Sequence, residues 1–280
     1  MDIVINKPAL FRRQIALPQD HGSWVFLLSP LLIGLFTGGS FSLASVYLII
    51  AAMAGFLIRQ PITMAIKAYS GRRSRRDLPA ARFWIVVYGM IGLSALLGLI
   101  LQGYAYVLLL AIPGVPVFIW HLVLVSRRAE RRQLGVEVVA SGVLALSAPA
   151  AYWIGIASPA PLGWLLFVLV WLQSAASIVY AYLRLAQREL RAAPARKEQF
   201  QMGRRALLYT SFNLLIASGL SLASITPILL PLPYALQWGE TLWGITHPAI
   251  GMKPTRIGVR QLLVSSFFTI LFIFAWNTPF

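Results

Sequence analysis

The 280-residue sequence contains no cysteine and only 8 Asp and Glu residues. The absence of Cys excludes disulfides and thiolate metal sites, and the three His residues, His21, His121 and His247, do not follow the spacing of a metal site. Charged residues make up 11% of the chain and hydrophobic residues 59%, so the balance of a soluble globular protein is not met. The chain therefore needs lipid as its solvent.

Long apolar runs fill most of the sequence. A helix that crosses a bilayer needs about 20 apolar residues, because the hydrocarbon core is roughly 30 Å thick and each residue rises about 1.5 Å. Nine runs predict an all-α, polytopic membrane helix bundle in a single domain over residues 1–280. The predicted spans are residues 22–38, 41–58, 83–101, 104–125, 134–156, 162–183, 206–224, 228–246 and 259–276.

The 24 Lys and Arg residues fall only on alternate connections between these spans. They occupy the N-terminal segment 1–20, long basic loops at 59–82 and 184–205, and the shorter connections after spans four and eight. Positive-inside bias then predicts a cytoplasmic N-terminus and a C-terminus outside. The net charge of +16 could indicate nucleic acid in a soluble protein, but this alternation indicates membrane lipids as partners and no nucleic acid.

The first predicted hairpin carries the densest motif. Its entrance reads Asp20, His21, Gly22, Ser23 and Trp24, and its exit reads Arg59, Gln60 and Pro61. His21 and Arg59 are each nineteen residues from a turn at Ser40, so we expect them at the same height. In a functional interpretation, Asp20 orients His21 for proton transfer and Arg59 holds an anion. In a structural interpretation, Asp20 caps the helix, Trp24 anchors it at the interface and Arg59 follows the positive-inside rule.

Polar side chains also enter the predicted bundle. A carboxylate at the centre of a membrane helix costs about 2.5 to 3.5 kcal/mol, so Glu240 in span eight is a candidate site residue. The residues that share its helical face are Gln237, Gly244 and His247, and the equivalent polar residues elsewhere are Gln173, Ser177, Tyr180, Arg184 and Asn213. Together they predict a cavity that opens to the cytoplasm. The alternative is that Glu240 pairs with an Arg and locks two helices together.

Two resemblances follow from these residues. The elements HGSW at 21–24, RQP at 59–61 and GVRQ at 258–261 resemble the YwiC-like family of bacterial membrane proteins, over essentially the whole chain. This resemblance implies the cytoplasmic membrane of a bacterium but no settled biochemical role. The nine-span architecture is similar to the UbiA prenyltransferase superfamily, whose Asp-rich motifs hold magnesium and a prenyl diphosphate. Here those places read RQPITMAIK at 59–67 and YAYLR at 180–184, so a magnesium diphosphate site of the usual form is not expected, no metal ligands are predicted and the cofactor stays unknown.

The leading hypothesis is a UbiA-like enzyme or binding protein for an amphiphilic anion, such as an isoprenoid or lipid phosphate. The expected catalytic residues are His21 and Glu240. The expected substrate-binding residues are Arg59, Gln60, Lys67, Gln173, Tyr180, Arg184, Asn213 and His247, and the expected structural residues are Asp20, Gly22, Trp24 and Pro61. The alternatives are a proton-coupled transporter that uses Glu240 and His247, and a non-catalytic assembly factor whose basic loops dock a partner.

Overall fold

The structure, a computed structural model, describes residues 13–18, 22–127 and 133–278. Within these ranges the chain forms helices and turns and no strand, which confirms the all-α fold class. The helices are α1 (Arg13–Ala16), α2 (Ser23–Thr37), α3 (Leu43–Tyr69), α4 (Leu78–Leu101), α5 (Ala111–Ser126), α6 (Leu134–Ala145), α7 (Ser147–Gly155), α8 (Pro161–Gln187), α9 (Arg196–Leu222), α10 (Pro231–Thr246) and α11 (Pro254–Trp276). Short 3-10 turns at Arg75–Asp77 and Ala105–Leu110 precede α4 and α5.

Among the residues that the structure describes, six helical segments are long and apolar enough to cross a membrane, so the chain is a multi-pass membrane protein. They are Leu43–Tyr69, Arg75–Leu101, Ala105–Ser126, Leu134–Gly155, Pro161–Gln187 and Pro254–Trp276. The helix α2 is apolar but has only 15 residues, α10 has 16, and the apolar part of α9 begins only after Arg205. Each of the nine predicted spans contains a helix, whereas the count of nine crossings and their orientation stay predictions.

The long basic connections are more helical than the sequence predicts. The helix α3 continues through Pro61 to Tyr69, although its predicted end is residue 58. A proline removes one backbone donor, and membrane helices tolerate this loss when neighbouring groups compensate. Arg59, Gln60 and Lys67 therefore lie on α3 and not in a loop. Likewise α8 runs to Gln187 and α9 starts at Arg196, so the predicted loop 184–205 is mostly helical.

One compact unit comprises Met1–His21 and Phe41–Gln133 and contains α1, α3, α4 and α5. The helices α3 and α4 pack along each other, and α1 packs against both. Ile15 of α1 is fully buried, and the Tyr88 hydroxyl donates a hydrogen bond to the carbonyl of Ala16 at 3.2 Å. The described part of the N-terminal segment, residues 13–18, is thus held against α3 and α4.

The second compact unit comprises Gly22–Ser40 and Leu134–Phe280 and contains α2 and α6 to α11. Its central helix is α8, which packs against α2, α6, α7, α9, α10 and α11. The sequence predicted one domain and gave no sign of the division into two units. The helices α2 and α7 approach closely at small residues: a Cβ on Gly34 would collide with the Ala148 carbonyl and lie 2.8 Å from the Ala151 Cβ.

Candidate functional site

The carboxylate of Glu240 on α10 forms a bidentate ion pair with Arg260 on α11. Nε of Arg260 lies 2.6 Å from Oε1 of Glu240, and Nη2 lies 2.7 Å from Oε2. The Tyr180 hydroxyl on α8 donates a further hydrogen bond to Oε1 at 2.8 Å. The Glu240 side chain is 9% exposed and that of Arg260 is 43% exposed, so the carboxylate is inside and the Arg260 side chain is partly at the surface. This arrangement matches the structural alternative for Glu240, a carboxylate that pairs with an Arg between two helices.

Trp243 supports the guanidinium of Arg260 from one face. The Arg260 Cζ lies 3.5 Å from the centroid of the indole ring, which is a cation–π contact. The same indole stacks on the exposed imidazole of His247, with ring centroids 5.0 Å apart and an interplanar angle of 10°. Glu240, Trp243 and His247 meet in this way because residues three, four and seven apart lie on one face of a helix. Glu240 thus holds the guanidinium of Arg260 along one edge, and Trp243 contacts one of its faces. The Nη1 group of Arg260 lies outside the ion pair.

Arg184 on α8 holds the end of α10. Its side chain is 2% exposed, and Nη1 donates to the carbonyls of Gly244 and His247, each at 2.7 Å. It also donates to Oε1 of Gln187 at 2.8 Å. The last carbonyls of a helix have no partner within the helix and carry partial negative charge, so a buried guanidinium satisfies them. These contacts favour a structural role for Arg184, and its predicted role in substrate binding stays a prediction.

Gly244 allows α8 and α10 to approach at this point. A Cβ at position 244 would collide with the Tyr180 hydroxyl and lie 2.6 Å from Cε2 and 2.8 Å from Cζ of the same ring. Any larger residue would therefore displace Tyr180, which is 5% exposed and has little room to move. The glycine is part of the reason that the Tyr180 hydroxyl reaches Glu240.

A small cavity with room for about one water molecule lies between α8, α10 and α11. Its lining residues are mostly polar: Gln173, Ser177, Tyr180, Gln237, Glu240, Gln261, Val264, Ser265 and Phe268. The Gln237 side-chain amide donates to the carbonyl of Gln173 at 3.2 Å, and that of Gln261 donates to the carbonyl of Ser177 at 3.2 Å. The structure thus brings together three residues that the sequence predicted as site residues, Gln173, Tyr180 and Glu240.

Other predicted site residues do not line this cavity. Asn213 on α9 is 2% exposed and donates to the Leu172 carbonyl at 2.8 Å, so it joins α9 to α8. Arg59, Gln60, Pro61 and Lys67 belong to α3 in the other unit. Gln60 donates to the carbonyl of Gln14 at 2.9 Å, and the Arg59 guanidinium lies 5.2 Å from the Phe56 ring centroid.

The entrance motif is only partly described. Asp20 and His21 lie outside the described residues, so the predicted proton-transfer group has no structural account. Gly22 directly precedes α2 and is exposed, and Trp24 lies half-buried in the first turn of α2. Within residues 13–18, 22–127 and 133–278, no group of three or more His, Asp or Glu side chains could hold a metal ion.

The sequence prediction missed Arg260, Gln261 and Ser265 as site residues. Arg260 and Gln261 counted only as part of the GVRQ element, and Arg260 also as one of the basic residues on the predicted cytoplasmic side. The signal that could have found them is the polar stripe itself, because Gln261 and Ser265 are four residues apart in an otherwise apolar span. Arg260 directly precedes Gln261 and lies within the predicted apolar span 259–276.

The comparisons with known proteins give one family. A sequence model described as YwiC-like protein matches residues 17–152, which run from before α2 into α7 and contain the HGSW and RQP motifs. No curated protein and no solved structure matches the chain. The helices α8, α10 and α11 follow the matched region, so the family match does not extend to the cavity. The resemblance to the YwiC-like family predicted from the sequence is confirmed over residues 17–152, just under half of the chain, and the GVRQ element at 258–261 lies outside the match.

Proposed function

We propose that this YwiC-like membrane protein binds the polar head of an amphiphilic anion at the mouth of the cavity between α8, α10 and α11. The observation that supports the proposal is the state of Arg260: Glu240 and Trp243 fix the guanidinium, yet 43% of the side chain is exposed. A guanidinium that is already oriented loses less entropy when it binds a phosphate or carboxylate. Binding would use Nη1 and leave the pair with Glu240 in place.

The charge around the cavity favours an anion. The cluster contains two guanidinium groups, Arg184 and Arg260, and one carboxylate, Glu240, so one positive charge is in excess. Lys253 and Arg256, both exposed, add two positive charges at the start of α11. Such an excess raises the local concentration of anions and lowers that of cations.

The surroundings of Arg260 favour an amphiphile over a soluble anion. Val259, Leu262 and Leu263 on α11 have exposed fractions of 57%, 47% and 54%. Apolar side chains on a membrane helix are satisfied by lipid chains, so a ligand whose head reaches Arg260 can place its hydrocarbon tail along α11. We further propose that this end of α11 faces the cytoplasm of a bacterial cell, as the distribution of Lys and Arg predicts.

The contacts of Glu240 favour binding over catalysis. Its oxygens already accept hydrogen bonds from Tyr180 and Arg260, so a role as general base would require this network to open. One observation favours a second candidate, proton-coupled transport: Glu240 is 9% exposed and lines a polar cavity. In proteoliposomes, a pH-driven solute flux that disappears in Glu240→Gln would support transport, whereas wild-type vesicles without such flux would exclude it for the solute tested.

The binding proposal is tested by lipid titration of the purified protein in detergent, followed by native mass spectrometry. The probe is phosphatidylglycerol, with phosphatidylcholine as the lipid without net charge. Because a hydrogen bond to a charged group contributes about 1.5 to 3 kcal/mol, Arg260→Gln should weaken phosphatidylglycerol binding by about tenfold or more. Arg256→Gln removes the same charge one turn away, at an exposed position, and should weaken binding by about threefold at most.

A second variant separates binding from folding. Arg260→Gln leaves Glu240 without its ion-pair partner, whereas the double variant Glu240→Gln/Arg260→Gln retains two neutral side chains that can still pair. The double variant should bind phosphatidylglycerol as weakly as Arg260→Gln while its thermal unfolding stays close to that of the wild type. Equal losses in the Arg256 and Arg260 variants, or no preference of the wild type for phosphatidylglycerol, would refute the proposal.

A further inference from the structure

Gln237 presents a buried hydrogen-bond acceptor to the cavity. The residue is 6% exposed, and its amide nitrogen donates to the Gln173 carbonyl on α8 at 3.2 Å. This bond fixes the orientation of the amide group, because only the nitrogen can donate to a carbonyl. The oxygen Oε1 is then turned away from that carbonyl, and it has no hydrogen-bond partner among the residues that the structure describes. Buried polar atoms are almost always paired, so this oxygen calls for a donor from outside the chain.

The neighbouring side chains narrow the chemistry of that donor. Ser177, Gln261 and Ser265 line the same cavity and are neutral. The only carboxylate there, Glu240, already accepts from Tyr180 and Arg260. An ammonium group would add a third positive charge to a cluster that already has one in excess, and such a buried charge is costly. A neutral hydroxyl meets the need of the acceptor without adding charge.

We propose that Oε1 of Gln237 accepts a hydrogen bond from a hydroxyl of the bound head group, and that the site therefore selects hydroxyl-bearing anionic amphiphiles. This inference rests on the proposed function, since it assigns the part of the ligand that enters the cavity while Arg260 holds its anionic group. Selection arises because a ligand without the hydroxyl leaves the buried acceptor unpaired.

The test compares two lipids that differ only in the hydroxyl groups of the head. Phosphatidylglycerol and phosphatidylmethanol with the same acyl chains each carry one phosphodiester charge, but only the former has head-group hydroxyls. Native mass spectrometry of the purified protein in detergent gives both dissociation constants. The wild type should bind phosphatidylglycerol about 3- to 10-fold more tightly, which corresponds to one net hydrogen bond.

Variants locate the source of the preference. Gln237→Leu should abolish the preference between the two lipids without weakening phosphatidylmethanol. Ser177→Ala is a smaller change in the cavity wall and should reduce the preference about twofold if Ser177 helps to orient the hydroxyl. Thr241→Val is the control, because Thr241 is buried one turn further along α10, bonds to the carbonyl of Gln237 within the helix and does not line the cavity.

Each result decides a separate question. Equal affinity of the wild type for both lipids, above that for phosphatidylcholine, would overturn the hydroxyl inference, indicate water as the donor and leave the anion-binding proposal intact. A preference that survives in Gln237→Leu, with far-UV circular dichroism unchanged, would also overturn the inference. Binding of neither lipid above phosphatidylcholine would overturn both proposals. A preference that is lost in Gln237→Leu and kept in Thr241→Val would support both.

Discussion

The contact between Gly244 and Tyr180 allows a matched test with two glycines of the same helix. Gly244 and Gly239 both lie in α10, and replacement by alanine adds one methyl group at either position. At position 239 the methyl group would meet no atom within 4 Å. At position 244 it would collide with the Tyr180 hydroxyl and lie 2.6 Å from Cε2 of that ring. The two variants therefore differ in packing and not in chemistry.

The expected magnitudes follow from these distances. Alanine is favoured over glycine in a helix by about 1 kcal/mol, so Gly239→Ala should leave stability unchanged or raise it by up to about that amount. Gly244→Ala gains the same helix preference of alanine, but overpacking against Tyr180 costs about 1 to 3 kcal/mol. Displacement of Tyr180 also breaks its hydrogen bond to the Glu240 carboxylate, which contributes about 1.5 to 3 kcal/mol. We expect Gly244→Ala to be less stable than Gly239→Ala by about 2.5 to 6 kcal/mol.

The free energy of unfolding can be measured by titration with sodium dodecyl sulfate in mixed micelles, with far-UV circular dichroism as the signal. The double variant Gly244→Ala/Tyr180→Phe removes the hydroxyl oxygen, which is the atom nearest to the new methyl group, so its loss should be smaller than the sum of the single losses. The reasoning would be refuted if Gly244→Ala and Gly239→Ala had the same stability, since the close approach of α8 and α10 would then contribute nothing.

Two further predictions concern the charged groups of the same unit. Arg184→Gln removes the donor that satisfies the end of α10 and should lower the free energy of unfolding by about 2 to 4 kcal/mol in the same titration. Arg191→Gln changes an exposed arginine four residues past the end of α8 and should change stability by less than about 0.5 kcal/mol. A double-mutant cycle on Glu240 and Arg260 should give a coupling of about 1 to 3 kcal/mol, between the values for exposed and buried pairs, and additive single losses would contradict the ion pair.

The order of helices could be read from the sequence because apolar length is a local property. Each predicted span contains a helix, and the break at Gln102 to Tyr104 appears as a turn with a positive φ at Gly103. The ends of the helices were predicted less well. The second span was predicted to end at residue 58, before the RQP element, but the helix continues through Pro61 to Tyr69. Hydropathy marks where a helix is apolar and does not mark where its backbone hydrogen bonds end.

The break between α6 and α7 has a local cause, which the uniformly high hydropathy of the span does not indicate. The predicted span 134–156 is apolar throughout, yet the structure divides it at Leu146. Pro149 has no N–H to donate to the carbonyl of Ala145, four residues earlier, so the helix is interrupted there. The division into two compact units could not be predicted, because it depends on which helices pack together and not on any one segment.

The residues of the cavity could be predicted in part. The stripes that contain Gln173, Tyr180 and Glu240 predicted that these side chains would meet, because polar groups in a membrane helix turn toward other polar groups. Arg260 was not predicted, since a basic residue near the end of a span is usually explained by lipid head groups. The ion pair of Arg260 with Glu240 depends on the packing of α11 against α10. This is a tertiary contact, which no local sequence pattern indicates.

Arg184 and Arg260 show why burial must be known before an arginine can be assigned to a ligand. Arg184 follows an apolar stretch, and Arg260 lies at the beginning of one. The Cζ atom of each arginine lies within 6.0 Å of an aromatic ring centroid. The sequence assigns both residues to the same side of the membrane. Arg184 is 2% exposed and donates to three acceptors of the chain itself, so binding a ligand would require it to abandon the end of α10. The Arg260 side chain is 43% exposed and keeps Nη1 outside its ion pair. A ligand anion can therefore reach Arg260 without unfolding any part of the helix bundle, and the first variant to make is the one at position 260.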